Sequence, residues 1–337
     1  MTPSRSTATG EGPLRIDFIV GMARSGTTWL GRVLSEHPEL AVFGETSFWG
    51  NLYVLPGADG LYGARELRKV LEIQRTRDWR STTRDERDIL MGASAGDYRT
   101  LIEHAIARVE PPVSPADVFR AIADAIAVSE GKHHVLEKTP HHVHWLPRIA
   151  AAFPDSKFVL TVRDPYEFVL SLRHLGNRLD GRIERILDRP WRHPLLAALA
   201  WRGYMNSIER ARLRHGDRLL VIRTSELRER PALVVNRIQT FLDVPVRDLP
   251  IELPHANSSF AGRPRPEPGG DDIFWTNLVA RSAMRMNGYS PRRIPFEPAR
   301  LFASVLLLPL SVSISAVRLP RKAKISFREY LSVWLSR

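Results

Sequence analysis

The sequence has no cysteine, and among its 337 residues only six are lysine while 43 are arginine. Without cysteine the chain has no disulfide framework and no thiolate metal site, which excludes the small disulfide-stabilised secreted folds and the zinc-finger classes. This composition fits a reducing compartment, and we expect a cytoplasmic protein. Because lysine is so rare, each lysine near a candidate site carries more weight, Lys138 above all.

Long hydrophobic runs are also lacking. Residues 1–13 are rich in Ser, Thr and Gly without an apolar centre, so they are no signal peptide, and we expect them to be disordered. The longest apolar segment, 301–317, contains Pro309 and four serines and is shorter than the roughly 20 residues that span a bilayer. Basic and amphipathic residues follow it. The segment predicts either a helix packed on the core or a peripheral membrane contact through 301–335.

The charge is strongly of one sign. The net charge is +12 and the isoelectric point is about 10.5, so we expect an anionic substrate or an anionic surface as partner. The sequence has no basic repeat interleaved with aromatic residues, no zinc spacing and no RNA-binding signature. We therefore expect no nucleic-acid partner.

What is present begins at residues 15–30. An apolar strand over 15–20 leads into a glycine-bounded loop and then a helix over 26–35. Such a loop presents backbone N–H groups beside a positive helix N-terminus, which predicts a cradle for a phosphate-like anion. The spacing from Gly21 to Gly26 matches the ATP-binding loop, but Thr27 stands where that loop has lysine, and Arg24 brings a cation earlier.

The rest of the sequence alternates strands with helices, which predicts an α/β protein with a P-loop-like parallel sheet flanked by helices. We expect a main domain over 14–298, a helical insertion at about 51–131 and an apolar and basic helical tail over 299–337. Further helices are expected over 140–153, with Thr139 as N-cap, from Pro165 onward with Asp164 as N-cap, and near 194–214, 228–242 and 272–287.

Polar residues stand where the predicted strands end. The 21–28 loop, Glu45, Lys138 and Arg163 each follow an apolar strand segment. In parallel sheets ligands bind outside the carboxyl ends of the strands, so these features are expected at one edge. Ser171 follows Arg163 by eight residues, and the two are placed to clamp a second phosphate.

The segment RSGTTWL (24–30) resembles the 5′-phosphosulfate loop of sulfotransferases that use 3′-phosphoadenosine 5′-phosphosulfate (PAPS). Arg163 with Ser171 resembles that family's 3′-phosphate site, and the segments EKTP (137–140), HPE (37–39) and GET (44–46) are similar to motifs of the tyrosylprotein and carbohydrate branch. The resemblance covers about 15–288. It implies sulfuryl transfer from PAPS to a hydroxyl or amine of a carbohydrate, lipid or secondary metabolite, and release of adenosine 3′,5′-bisphosphate (PAP).

The resemblance also implies roles for single residues. Glu45 would be the catalytic base, and Arg24 and Lys138 the catalytic cations. The residues that would bind PAPS are Arg24, Ser25, Gly26, Thr27, Thr28, Arg163 and Ser171. Because a sulfuryl group carries one charge fewer than a phosphoryl group, we expect no metal requirement.

Several alternatives stay open at this point. Arg163 can simply pair with Asp164 or Glu167, and Glu45 can be a turn carboxylate or a partner of Arg24. Five histidines around Lys138 offer a metal site or another base, although no carboxylate or cysteine stands at ligand spacing. The whole chain can instead be a P-loop kinase or NTPase, or a non-enzymatic protein of basic membrane surfaces.

Overall fold

The structure is a computed structural model that describes residues 13–50, 53–76, 95–174, 193–251 and 266–322. Five short strands form a parallel sheet in the order β2-β3-β1-β4-β5. Their cores are runs of β-branched and large apolar residues, as expected for strands buried on both faces. The strands are β1 (Arg15–Gly21), β2 (Leu40–Gly44), β3 (His134–Lys138), β4 (Phe158–Val162) and β5 (Leu219–Arg223).

The register of β3 aligns the carboxyl ends of three strands. Lys138 lies opposite Ile19 of β1 on one side and opposite Gly44 of β2 on the other. Glu45 follows Gly44 directly, and its N–H donates to the carbonyl oxygen of Lys138 at 2.8 Å. The sheet therefore brings the ends of β2 and β3 together at one edge, as the sequence predicts.

Helices fill the connections between the strands. They are α1 (Thr27–Ser35), α2 (Ala64–Thr76), α3 (Ala95–Ala107), α4 (Pro115–Glu130), α5 (Leu146–Ala152), α6 (Pro165–Arg173), α7 (Pro194–His215), α8 (Thr224–Glu229), α9 (Pro231–Phe241), α10 (Gly270–Met286) and α11 (Pro298–Lys322). The predicted parallel sheet flanked by helices is thus confirmed. The three helices α2 to α4 occupy the expected helical insertion.

Two helices expected from the sequence are interrupted. The segment 140–153 is a 3₁₀ helix over Pro140–Trp145 followed by α5, and the change occurs just before Pro147. The segment 228–242 is divided between α8 and α9 at Pro231. Before Pro231 the proline ring disfavours the α conformation, and Arg230 has φ −141° and ψ 57°. Leu146 before Pro147 is α-helical, so this cause does not apply there.

The chain forms two compact units, each with its own core. The first comprises residues 1–20, 27–159 and 231–252, and in it the ring of Phe18 stacks on Phe119 and Phe158 at centroid distances of 5.8 and 5.4 Å. The second comprises residues 21–26, 160–230 and 253–337. In it the fully buried Trp201 meets Tyr289 edge-on at 5.9 Å.

The apolar segment of the tail belongs to α11. Among the helices of the described residues, none combines the length and the apolar character needed to cross a membrane. The predicted disordered segment 1–13, apart from its last residue, lies outside the described residues, as do the last 15 residues of the tail.

Candidate functional site

The loop after β1 has a backbone that requires glycine. Gly21 has φ +137°, and a Cβ there would lie 2.3 Å from the carbonyl oxygen of Thr161. Gly26 at the other end of the loop has φ +91°, and Arg24 between them has φ +66°. Because residues with side chains rarely adopt such φ values, the two glycines allow the tight turn between strand and helix.

Buried hydroxyl groups hold the loop in place. The Ser25 side chain is fully buried, donates to the carbonyl oxygen of Met22 and lies within hydrogen-bond distance of Thr161 Oγ1. Thr224 Oγ1 donates to the carbonyl oxygen of Ser25 at 3.1 Å and to that of Val162 at 2.9 Å. The hydroxyl of Ser25 is therefore used to fix the loop, which leaves its backbone N–H as the group available to an anion.

Helix α1 begins at Thr27, the position where an ATP-binding loop has lysine. The N–H groups of the first turn have no acceptor within the helix, and the helix dipole makes this end positive. Thr27 is buried, while Thr28 is partly exposed. The start of α1 thus offers backbone donors and one accessible hydroxyl.

The guanidinium of Arg163 is directed at the loop. Its Nη1 donates to the carbonyl oxygen of Arg24 at 2.6 Å, and its Nε donates to Glu167 Oε2 at 3.3 Å. The second contact is one of the alternative pairings considered from the sequence. Asp164 caps α6 as predicted, because its carboxylate accepts from the N–H groups of Tyr166 and Glu167.

The surroundings of Arg163 contain one acidic side chain shared by two arginines. Glu167 accepts from Arg163 and, through Oε1, from Arg228 at 2.8 Å. The other predicted member of this site, Ser171, is almost completely buried in α6. Arg228 was not a candidate in the sequence, where nothing distinguishes it from the many other arginines.

In the other unit, Lys138 and Glu45 form an ion pair. Lys138 Nζ donates to Glu45 Oε1 at 2.7 Å and to Thr28 Oγ1 at 3.5 Å. The lysine side chain is 1% exposed, whereas one third of the glutamate side chain is exposed. A buried ammonium group requires hydrogen-bond partners of this kind. The contacts of Lys138 bring a cation, a carboxylate and a hydroxyl within a few ångströms of each other.

The buried carboxylate of Glu137 connects residues that neighbour this pair in the sequence. Glu137 is fully buried and accepts from Thr46 Oγ1 at 2.9 Å and Thr139 Oγ1 at 2.5 Å, and His142 Nδ1 lies 2.9 Å from its Oε2. These hydrogen bonds connect Glu137 and Thr139, which flank Lys138, to Thr46, which follows Glu45. Glu45 itself has φ +51°, so these contacts hold its backbone in an uncommon conformation.

The Glu137 cluster corrects one prediction. Thr139 stands at the N-cap position before Pro140, but its hydroxyl makes no capping hydrogen bond and donates to Glu137 instead. Donation to Glu137 fixes the rotamer of Thr139, and the hydroxyl oxygen accepts from the N–H of Ser47 at 3.5 Å instead of from the first turn of the following helix.

Two of the histidines near Lys138 have structural partners. His142 contacts Glu137, and His134 Nε2 lies 2.8 Å from Asp17 Oδ2, with both histidines buried. Within the described ranges, no group of three or more His, Asp or Glu side chains is arranged to hold a metal ion. The two tryptophans near the site, Trp29 and Trp49, are both buried, and Trp49 stacks on Tyr53 at 5.6 Å.

Two tyrosines near Arg163 are neutral groups. Burial raises the pKa of Tyr166, whose hydroxyl donates to Asn277 Oδ1 and accepts from the N–H of Arg292 at 2.8 Å. Burial likewise raises the pKa of Tyr289, over whose ring the Arg223 guanidinium lies at 5.1 Å. Neither hydroxyl adds a negative charge to the neighbourhood of Arg163 at neutral pH.

The known proteins that resemble this chain are sulfotransferases. No curated protein sequence matches the chain. Similar solved structures include the sulfotransferase domain of the Synechococcus PCC 7002 olefin synthase (20% identity, 73% of this chain and 78% of that chain, TM-score 0.46). Another is the sulfotransferase domain from the curacin biosynthetic pathway (20%, 88% and 98%, 0.47), and a third is the sulfotransferase from Alicyclobacillus acidocaldarius (16%, 83% and 97%, 0.47). The profile of the sulfotransferase family matches residues 18–248, well over half of the chain, so the protein belongs to the sulfotransferase family.

Proposed function

We propose that the protein transfers a sulfuryl group from PAPS to a hydroxyl or amine of a carbohydrate, lipid or secondary-metabolite acceptor and releases PAP. The observation that carries this proposal is the ion pair between the buried Lys138 and Glu45, 2.7 Å apart beside the hydroxyl of Thr28. A cation and a general base side by side, at the first turn of α1, suit a transfer that develops charge on a leaving phosphate oxygen.

The loop is the proposed site of the 5′-phosphosulfate. Its backbone N–H groups over 25–28 and the start of α1 would donate to that group. Thr27 in place of the lysine speaks against the rival function, a P-loop kinase or NTPase, because such enzymes use the lysine on the β- and γ-phosphates. Because a sulfuryl group carries one charge fewer than a phosphoryl group, we expect turnover to persist in EDTA.

Glu45 and Lys138 would share the chemistry of the transfer. Glu45 takes the proton from the acceptor hydroxyl while the acceptor oxygen forms the new bond to sulfur. The bond between sulfur and the bridging oxygen of the 5′-phosphate breaks, and both its electrons stay on that oxygen, where Lys138 and Arg24 stabilise the charge. Lys138 donates to Glu45, so we propose that it redirects this hydrogen bond when substrates bind.

Arg163 and Ser171 are the proposed ligands of the 3′-phosphate. The support for Arg163 is its guanidinium, which reaches the carbonyl oxygen of Arg24 in the loop at 2.6 Å and is only 14% exposed. A largely desolvated arginine binds a phosphate more strongly than an exposed one, since water competes less for it. The 3′-phosphate is what distinguishes PAPS from ATP, so this residue would set nucleotide selectivity.

The acceptor and the location in the cell belong to the proposal as well. A chain without cysteine fits the reducing cytoplasm, where we propose that it acts. The motifs around Glu45 and Lys138 favour an acceptor of the carbohydrate or glycolipid type over a nucleic acid.

Isothermal titration calorimetry with PAP, ATP and ATP plus Mg²⁺ tests the nucleotide assignment. We expect PAP to bind more tightly than either form of ATP, with no effect of Mg²⁺ on PAP binding. Binding of Mg²⁺-ATP that equals or exceeds that of PAP would reject the proposal in favour of the kinase or NTPase.

A further inference from the structure

Helix α11 has its polar and apolar sides reversed with respect to an ordinary surface helix. Two of its serines face the protein, since Ser304 is 6% and Ser311 5% exposed. Its large apolar side chains face outward, and Phe302 is 66% and Leu306 63% exposed. Surface helices normally bury the apolar side, so this orientation requires an explanation.

Polar contacts fix this orientation. Ser304 Oγ accepts from Trp275 Nε1 at 2.9 Å and donates to the carbonyl oxygen of Leu301 at 2.7 Å. The carbonyl oxygen of Ser304 is 2.7 Å from Nε2 of the buried His193. Turning the helix to bury Phe302 and Leu306 would break these buried hydrogen bonds, so the outward apolar face is a built feature of the fold.

The exposed apolar surface continues into the segment before the helix. Phe296 is 94% and Ile294 44% exposed. Together with residues of α11 they form what we call the tail face, which consists of Ile294, Phe296, Phe302, Val305, Leu306 and Leu310. Residues 301–317 contain no charged side chain, although 26% of the whole chain is charged.

Basic residues stand at both ends of the tail face. Arg292 and Arg293 precede it and are exposed, and the sequence of the helix continues into Arg318, Arg321 and Lys322. An apolar face between two groups of cations matches a bilayer surface with anionic headgroups. It matches a second copy of the chain poorly, because a two-fold axis across antiparallel helices would place the two basic ends against each other.

We propose that the tail face docks this protein on the surface of an anionic lipid bilayer, with Phe296, Phe302 and Leu306 entering the headgroup boundary. Docking is peripheral, since no described helix is suited to span the membrane. The inference does not rest on the proposed enzymatic function, because it uses no residue of the nucleotide or acceptor site. It would nevertheless place a lipid-linked acceptor within reach of the enzyme.

Co-sedimentation of the full chain with vesicles tests the proposal. The variant Phe302→Ser/Leu306→Ser/Leu310→Ser removes the apolar side chains, and Leu213→Ser/Leu233→Ser is the matched control, since Leu213 on α7 and Leu233 on α9 are 86% and 63% exposed. We expect wild type and control to bind phosphatidylglycerol-containing vesicles, and the triple variant to lose about tenfold or more in partition coefficient. Binding by the wild type should also weaken in vesicles of phosphatidylcholine alone and at high salt.

Three results would overturn the proposal. One is wild-type protein that stays in the supernatant with anionic vesicles, and another is equal partitioning of the triple and control variants. The third is a wild-type dimer in sedimentation velocity that the triple variant abolishes without any vesicle binding by the wild type, which would assign the tail face to self-association. Near-ultraviolet circular dichroism establishes that each variant is folded before it is compared.

Discussion

Replacement of Arg163 by alanine separates recognition of the 3′-phosphate from recognition of the 5′-phosphate. PAP carries both phosphates and AMP only the second, so the two nucleotides report on different parts of the site. If Arg163 binds the 3′-phosphate, the variant loses affinity for PAP and keeps its affinity for AMP.

The expected size of the loss follows from the surroundings of Arg163. A hydrogen bond to a charged group contributes about 1.5–3 kcal/mol. The guanidinium is mostly buried, which strengthens a bond to phosphate, but it already has Glu167 as a partner at 3.3 Å, which offsets part of the gain. We therefore expect Arg163→Ala to lose about 2 kcal/mol of binding free energy, which corresponds to a roughly 30-fold higher dissociation constant for PAP. For AMP we expect a change of less than about threefold.

Calorimetry on wild type, Arg163→Ala and Arg163→Lys with both nucleotides measures these values. The lysine variant keeps the charge but not the forked geometry, so its affinity for PAP should fall between the other two. Equal losses for PAP and AMP would refute the reasoning. They would show that Arg163 acts only as a brace for the loop through the carbonyl oxygen of Arg24.

Four further changes have defined outcomes. Glu45→Gln should leave PAP affinity unchanged in calorimetry and lower the turnover of PAPS by roughly 100-fold or more; full activity would remove Glu45 as the base. Glu137→Gln should lower the free energy of unfolding in urea by about 2 kcal/mol, because its buried donors lose a charged acceptor, and an unchanged urea midpoint would contradict this. Gly21→Ala should cost about 3 kcal/mol in the same assay, since its methyl group would meet the Thr161 backbone, and a cost below about 1 kcal/mol would contradict the loop geometry. Burial lowers the pKa of His193 below 6.5, so the folded state binds fewer protons than the unfolded state. The contribution of the neutral His193 to stability is therefore fully present above about pH 6.5 and declines as the pH falls below it. His193→Gln should flatten this decline in thermal melts between about pH 7 and pH 5.

Much of the fold was predictable because its signals are local. The Asp164-Pro165 pair predicted the start of α6, and the carboxylate of Asp164 caps the helix as expected. The apolar runs in the sequence predicted where the strands end. This prediction placed Glu45 and Lys138 at one edge of a parallel sheet, where the structure has them. The interruption at Pro231 also has a local cause, and closer attention to Arg230, the residue before that proline, would have found it.

Contacts between distant residues were not predictable. The hydroxyls of Thr161 and Thr224 hold the loop at Ser25 across 136 and 199 residues of sequence, and no pattern near either threonine indicates it. In the segment Glu137-Lys138-Thr139, the sequence suggested a catalytic lysine and a helix cap. Because side chains alternate along a strand, Lys138 points toward Glu45 while Glu137 enters a buried cluster on the other side.

The tail shows a different limit of sequence reasoning. The pattern of apolar residues and serines over 301–317 was compatible with burial of either side of a helix. Only the contacts of Ser304 with Trp275 and His193 decide which side faces the protein. The choice depends on partners more than 25 residues away in the sequence, which helical periodicity does not contain.

Sulfuryl transfer from PAPS by Glu45 and Lys138 is the activity that we propose for this protein. Its most direct test is incubation of wild-type protein and the variants Glu45→Gln and Lys138→Ala with ³⁵S-labelled PAPS and separate pools of glycans, lipids and phenolic metabolites, with PAP release measured in parallel. We expect label in one acceptor pool with wild type, one PAP released for each sulfuryl group transferred, and a loss of both with either variant. Unchanged labelling by both variants, or transfer of ³²P from γ-labelled ATP in place of ³⁵S from PAPS, would contradict it.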